Sequence, residues 1–162
     1  MVMAYVGLGS NLLDPRAQVE RALAALQDLP KTTLRARSRL YRTPPWGGVV
    51  QPDFINAAAA LDTGLGAAEL MEAMLGIERD FGRRRDGERF GPRVIDIDLL
   101  LFGDLVIDEP HLHVPHPRLR ERAFVLVPLA EIAASVSVPG QGRVEALLAR
   151  LDPVDRQLKI AN

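Results

Sequence analysis

The thirteen residues from Phe90 to Phe102, FGPRVIDIDLLLF, constrain this chain more than any other stretch. Gly91 and Pro92 stop whatever precedes them, and the apolar, β-branched run from Val94 to Phe102 then reads as a buried strand. Two aspartates interrupt it. Because side chains alternate along a strand, Asp96 and Asp98 share one face with Cα atoms about 6.5 to 7 Å apart, while Ile95, Ile97 and Leu99 take the other. Two carboxylates on one face of an oily strand repel each other and lose hydration, so they require positive charge nearby. Arg83, Arg84, Arg85, Arg89 and Arg93 lie just upstream. They satisfy that need either as a structural salt-bridge cluster or by facing a polyphosphate whose divalent cations sit between the carboxylates. Magnesium takes one or two carboxylates and completes its shell with water and phosphate oxygens, and guanidinium forks grip phosphate. Spacing alone leaves both arrangements open.

At 162 residues and 48% hydrophobic content, the chain suits a single domain over 1–162 with a core large enough to need no staples. The absence of cysteine excludes disulfides, thiolate metal sites and cysteine nucleophiles. The start, MVMAYVGLGSN, lacks a basic leader, and no apolar run approaches the roughly 20 residues that span a bilayer. A cytoplasmic protein without a membrane partner is the expectation. A net charge of −1 argues against a dedicated nucleic-acid binder. Lys31 and Lys159 are the only lysines, and since a codon bias is enough to produce general arginine richness, the clustering from Arg83 to Arg93 is the more informative signal.

Ala4 to Leu8 reads as a strand ended by the turn Gly9-Ser10-Asn11. Leu12 occupies the third glycine position of a dinucleotide loop, so that fingerprint fails, and no Walker sequence exists. Asp14 and Pro15 start a helix as cap and first residue, with Val19, Leu23 and Leu26 as its apolar stripe and Pro30 beyond its end. From Thr32 to Tyr41 the period becomes two. Leu34, Ala36, Ser38 and Leu40 alternate with Arg35, Arg37 and Arg39, which describes an antiparallel strand with a solvated arginine face. RTPPWGGVVQPD is a loop around Trp46, and Phe54 to Thr63 is a strand. Leu70, Met74, Ile77 and Phe81 mark a helix core stripe, with Gly82 as its C-terminal cap. After the aspartate strand, Gly103-Asp104 is expected to turn into a hairpin partner at Leu105 to Ile107.

The order strand, helix, strand, strand, helix, strand is the split βαβ pattern. It predicts an α+β fold, a ferredoxin-like βαββαβ sheet with helices on one face and a C-terminal strand and helix extension from Val136 to Leu151. His111, His113 and His116 invite a zinc reading, but prolines at 110, 115 and 117 keep that segment extended, without a helical histidine pair. A further helix is expected from about Arg122, with Pro128 starting or kinking its second turn.

Four motifs stand in fixed order: YVGLGSNL, YRTPPWG, QPDFINA, and FGPRVIDIDLLLF followed by VPHPRLRERAFVLVPL. Together, over Ala4 to about Pro139, they resemble the 6-hydroxymethyl-7,8-dihydropterin pyrophosphokinase family of folate biosynthesis. The resemblance implies that ATP donates its terminal pyrophosphoryl unit to the pterin hydroxymethyl oxygen, leaving AMP. It implies that Asp96 and Asp98 ligate two magnesium ions, and that Arg83, Arg85 and Arg93 reach the ATP phosphates, with Arg83 and Arg93 catalytic beside the aspartates. His116 falls on the nucleotide side. Phe54 and Phe124 sandwich the pterin, Asn56 and Thr43 read its edge, and Pro44, Pro45 and Trp46 complete its pocket. Phe90, Trp46 and His111 depart from the usual residues of that family, Phe90 and Trp46 on the loops that would close as lids. A monomer is the implied state. The rival enzyme reading is another metal-dependent nucleotidyl or phosphoryl transferase using the same aspartate pair, and the rival non-enzyme is an RNA-binding module. An aromatic content of 5% with no RNP-like run speaks against the latter.

Overall fold

The computed structural model describes residues 1–44, 50–82 and 94–161. In chain order they form β1 (Val2–Ser10), α1 (Pro15–Gln27), β2 (Thr32–Arg37), β3 (Tyr41–Thr43), β4 (Phe54–Thr63), α2 (Ala67–Asp80), β5 (Asp96–Phe102), β6 (Ile107–Glu109) and β7 (Leu112–Val114). A 3-10 turn at Leu119–Glu121 leads into α3 (Ala123–Ala133), then β8 (Ser137–Val138), β9 (Gly142–Arg143), α4 (Val144–Ala149) and β10 (Lys159–Ile160). The fold is mixed α and β around an antiparallel sheet. β1 lies between β5 and β4, and β4 pairs on its other edge with β2 at one end and β3 at the other.

The sheet is filled from both sides. On one face Val6, Leu8, Ile55, Leu61, Ile97 and Leu99 meet Val19, Leu23 and Leu26 of α1 and Leu70 and Met74 of α2. Each such side chain contributes about 1.5 to 3 kcal/mol by leaving water. On the other face Tyr5, Ala58, Ala60, Leu100 and Leu101 lie under α3 and α4 through Leu126, Leu129, Val144 and Leu147. The expectation of helices on one face is thereby corrected: the segment from Ala123 to Ala133 is apolar enough to make a second core.

Local expectations change with it. The strand expected from Thr32 to Tyr41 is broken into β2 and β3. Ser38 interrupts it by accepting the Ala58 N–H with its hydroxyl at 2.9 Å while donating its own N–H to the Ala58 carbonyl at 2.9 Å. Arg35, Arg37 and Arg39 do form the expected solvated face, on which they pair with Asp62, Glu20 and Glu131. Leu105 to Ile107 is not a partner of β5; the chain turns at Gly103, at φ 54°, and β6 pairs with β7 instead. Asp14 precedes α1 with a left-handed φ of 62° and no capping bond from its side chain. β10, which sequence did not indicate, pairs with β3 and closes that edge of the sheet.

Candidate active site

The face under α3 is apolar at one end only. Toward the other end β4, β1 and β5 carry Asn56, Gly9 and Asp96 in direct register, and the next rung is Ala58, Gly7 and Asp98. Residues opposite one another in an antiparallel pair point to the same face, so the aspartates and the asparagine look out over a strip of bare β1 backbone. The alternation expected of the aspartate strand holds. Ile97 and Leu99 are buried on the far side, whereas Asp96 and Asp98 are partly exposed.

Two neighbours flank the aspartates. His116 is tied to β5 by its backbone N–H, which donates to the Leu100 carbonyl at 3.0 Å, and its Nδ1 accepts the Arg118 N–H at 3.2 Å. That acceptor role leaves the ring proton on Nε2. Burial, helped by the Arg122 charge and opposed by Asp96, lowers the His116 pKa to about 4, so the ring is neutral at ordinary pH. Arg122 forms the N-terminal boundary of α3, with its guanidinium 5.5 Å from the centroid of Phe124. Burial pushes its pKa down, and Asp98 is the strongest influence in the other direction. Arg122 Nε is buried with no hydrogen-bond partner among the described residues. A cation at a helix N-terminus opposes the helix dipole, so this position carries positive potential twice over and suits an incoming anion.

The aromatic and polar groups gather on the same face. Thr43 lies opposite Phe54 across β3 and β4, and Asn56 Nδ2 donates to Thr43 Oγ1 at 2.7 Å with both residues buried. Phe124 packs against the core beneath α3, and Phe54 lies beside Gly9. Pro44 follows β3 and is exposed. The loop entering β4 is anchored from β1, since Asn11 Nδ2 donates to Gln51 Oε1 at 2.8 Å and to the Pro52 carbonyl at 3.0 Å. Of the residues singled out in the sequence, Thr43, Phe54, Asn56, Asp96, Asp98, His116 and Phe124 are thus brought to one end of one face. Pro45, Trp46, Arg83, Arg85, Phe90 and Arg93 lie outside the described residues, as do Arg84 and Arg89. His113 pairs with Asp108 at 2.9 Å, and the described residues contain no group of three or more His, Cys, Asp or Glu side chains that could hold a metal ion.

Sequence reading missed two residues of the site. Glu78, on α2, is 2% exposed and accepts the Ile97 N–H at 2.8 Å, so it fixes the outer edge of β5 between the two aspartates. Its signal was an acid four residues after Met74, at core spacing. Arg122 was legible as a cation where helix starts favour Ser, Thr, Asp or Asn.

A family profile described as 7,8-dihydro-6-hydroxymethylpterin-pyrophosphokinase matches residues 5–134. A Pseudomonas aeruginosa protein named 2-amino-4-hydroxy-6-hydroxymethyldihydropteridine pyrophosphokinase is 48% identical over 145 residues, which cover 90% of this chain and 89% of the relative. A Methylorubrum extorquens protein of the same name is 49% identical over 153 residues, 94% of this chain and 96% of the relative. Among solved structures, the wild-type Plasmodium falciparum HPPK-DHPS crystallised with pterin and p-hydroxybenzoate superimposes with a TM-score of 0.73 at 14% identity. That match covers 92% of this chain but spans only 43% of the solved one, and it speaks to the fold alone.

Proposed function

The chain belongs to the 7,8-dihydro-6-hydroxymethylpterin-pyrophosphokinase family, and from that premise we propose how its residues carry out the family reaction. The activity is transfer of pyrophosphate from ATP to the hydroxymethyl group of 6-hydroxymethyl-7,8-dihydropterin, giving AMP and the pterin diphosphate, a step in folate biosynthesis. ATP is the co-substrate. The observation that carries the site assignment is the register that sets Asn56, Gly9 and Asp96 side by side, with Asp98 one rung away on the same face.

In this reading the pterin lies between Phe54 and Phe124, where stacking adds about 0.5 to 1.5 kcal/mol per ring beyond area burial. Asn56 and Thr43 read its edge. An asparagine amide offers both donor and acceptor, which suits a heterocycle edge that displays both. The family resemblance assigns Pro44, Pro45 and Trp46 to the pterin pocket as well. Asp96 and Asp98 would hold magnesium, two ions being what the family resemblance implies. The fit rests on two partly exposed carboxylates sharing one face, since magnesium needs only one or two from the protein. Bound there, magnesium neutralises phosphate charge and orients the transferred group.

The remaining work falls to the protein's own cations and donors. Arg122, with its buried Nε–H lacking a partner among the described residues, receives a phosphate oxygen, and His116 offers its Nε2–H from the nucleotide side. Arg83, Arg85 and Arg93 complete the phosphate grip. Such transfers depend on alignment and charge stabilisation more than on a covalent nucleophile, which accords with a chain without cysteine.

The strand order β5, β1, β4 and then β2 or β3, all antiparallel, supports a ferredoxin-like reading of the sheet. We take residues 1–162 as one pterin pyrophosphokinase domain, monomeric and cytoplasmic, with neither nucleic acid nor membrane as partner. Among the described residues no helix is long and apolar enough to cross a membrane. The test is incubation with ATP, magnesium and the reduced pterin alcohol, followed by nucleotide separation. AMP should form only when all three are present; ADP as product, or AMP without the pterin, would overturn the assignment.

A further inference from the structure

Gly9 stands at the middle of the site face, paired with Asn56 of β4 on one side and Asp96 of β5 on the other. A Cβ placed on it would lie 2.6 Å from Asn56 Oδ1, 3.7 Å from Asn56 Cγ and 3.8 Å from Phe54 Cδ1. The first distance is closer than real Cβ atoms come to a neighbour, so the Asn56 amide rests where only glycine lets it rest. Nor can the amide shift without loss, since its Nδ2 is held by Thr43 Oγ1 at 2.7 Å.

We propose that Gly9 is a positioning residue for pterin selection. Its bare α-carbon seats the Asn56 carbonyl over β1 and keeps the Asn56–Thr43 pair in the orientation that reads the heterocycle. The assignment rests on the reading of Asn56 and Thr43 as the pterin-edge residues. With Nδ2 donating one hydrogen to Thr43, the Asn56 amide retains a second N–H and its carbonyl, and the Thr43 hydroxyl hydrogen must point elsewhere. That set mixes donors with an acceptor, as the amino-oxo edge of a pterin does. From Asn56 across β1 to Asp96 is two strand spacings, about 10 Å. A two-ring heterocycle with a one-carbon arm suits that span, its edge at Asn56 and its reacting oxygen near the aspartates, with the ring crossing β1 above Gly9.

Gly7 supplies the control. It lies on the same strand and face, yet a Cβ there would sit 3.5 Å from Leu100 Cδ1, an ordinary contact. Alanine at either position also suits a strand better than glycine, so a defect specific to Gly9→Ala is not one of strand formation.

The experiment compares the parent, Gly9→Ala, Gly7→Ala, Asn56→Ala and the Gly9→Ala/Asn56→Ala double variant by AMP formation with magnesium and ATP, alongside thermal melts. Gly9→Ala should raise the pterin KM by about tenfold or more, as a site rejects a ligand once its hydrogen-bonding pair is misaligned, while the ATP KM stays within about twofold. The melting temperature of Gly9→Ala should fall by no more than a few degrees, and Gly7→Ala, whose added methyl meets only Leu100, should leave the pterin KM within about twofold of the parent whatever its turnover. Because Gly9 acts through Asn56, the double variant should be little worse than the poorer single one, the non-additivity of coupled neighbours. An unchanged pterin KM in Gly9→Ala, equal losses for both substrates with a lowered melt, or additive losses in the double variant would each overturn the assignment. A parent that makes no pterin-dependent AMP would instead sink the pterin reading beneath it.

Discussion

The two faces of the same three strands have opposite designs. On the α1 and α2 face, β1, β4 and β5 present Val6, Leu8, Ile55, Leu61, Ile97 and Leu99, all buried in one continuous cluster. On the α3 face they present a core of Tyr5, Ala58, Ala60, Leu100 and Leu101 that gives way at its end to Gly9, Asn56, Asp96 and Asp98. A single residue step along β5 separates the two regimes. Ile97 is 2% exposed beside an aspartate on either side that keeps some contact with water. The first face carries stability, which frees the end of the second to hold crowded charge and bare backbone. Glu78 joins the two: it belongs to the helix that covers the stable face, yet its carboxylate holds the backbone between the aspartates.

This division predicts that substitutions sort by face rather than by position along the strand. The largest effect is on turnover, where Asp96→Asn and Asp98→Asn should each lower the single-turnover rate at saturating ATP by several orders of magnitude. Near-normal rates would return these residues to a structural role. One position away, Leu99→Ala should cost about 2 to 5 kcal/mol of stability by denaturant unfolding, through lost burial and the cavity left behind. A cost near zero would show that the α1 and α2 face is not the stabilising one. Phe124→Ala should weaken pterin binding by about 1 to 3 kcal/mol in calorimetry and leave ATP binding almost unchanged. Equal losses for both ligands would mark Phe124 as a core residue.

The last effect concerns protons and vanishes at neutral pH. His116 titrates near 4 in the folded chain against an ordinary value of 6.5, so between those limits the unfolded chain binds more protons than the folded one. Its neutral burial therefore lowers stability as pH falls from about 6.5 toward about 4 and has no effect above that window. Replacing His116 with Gln should flatten that part of the stability profile. A His116 signal, assigned by its absence from the His116→Gln spectrum, that titrates near 6.5 by NMR would contradict the buried, neutral ring.

Much of this was legible in the sequence, for reasons that are local. Period-two alternation around Ile95, Ile97 and Leu99 put the aspartates on one face, and the stripe of Leu70, Met74 and Ile77 marked α2, because both follow from backbone geometry alone. What escaped reading depends on contacts far apart in the chain. The break at Ser38 arises from its bonds to Ala58, and the ion pairs of Arg35, Arg37 and Arg39 depend on Asp62, Glu20 and Glu131. The second face of helices and the closing of the β3 edge by Lys159 and Ile160 are likewise products of packing. Asn56 was named from its motif, but the Gly9 that seats it emerged only from the register of β1 against β4.

The central claim is that Asp96 and Asp98 serve a ligand and not the fold, and thermal melts of Asp98→Asn with chelator and with magnesium and ATP test it most directly. Two partly exposed carboxylates one strand repeat apart repel each other, and the Arg122 charge offsets part of that repulsion at Asp98, so neutralising one should move the melting temperature in chelator by only a few degrees. The same variant should lose most of the upward shift that magnesium and ATP give the parent, since a ligand stabilises only in proportion to its binding. The contradicting result is a variant that melts far below the parent in chelator while keeping the full magnesium and ATP shift, as loss of a structural ion pair would produce.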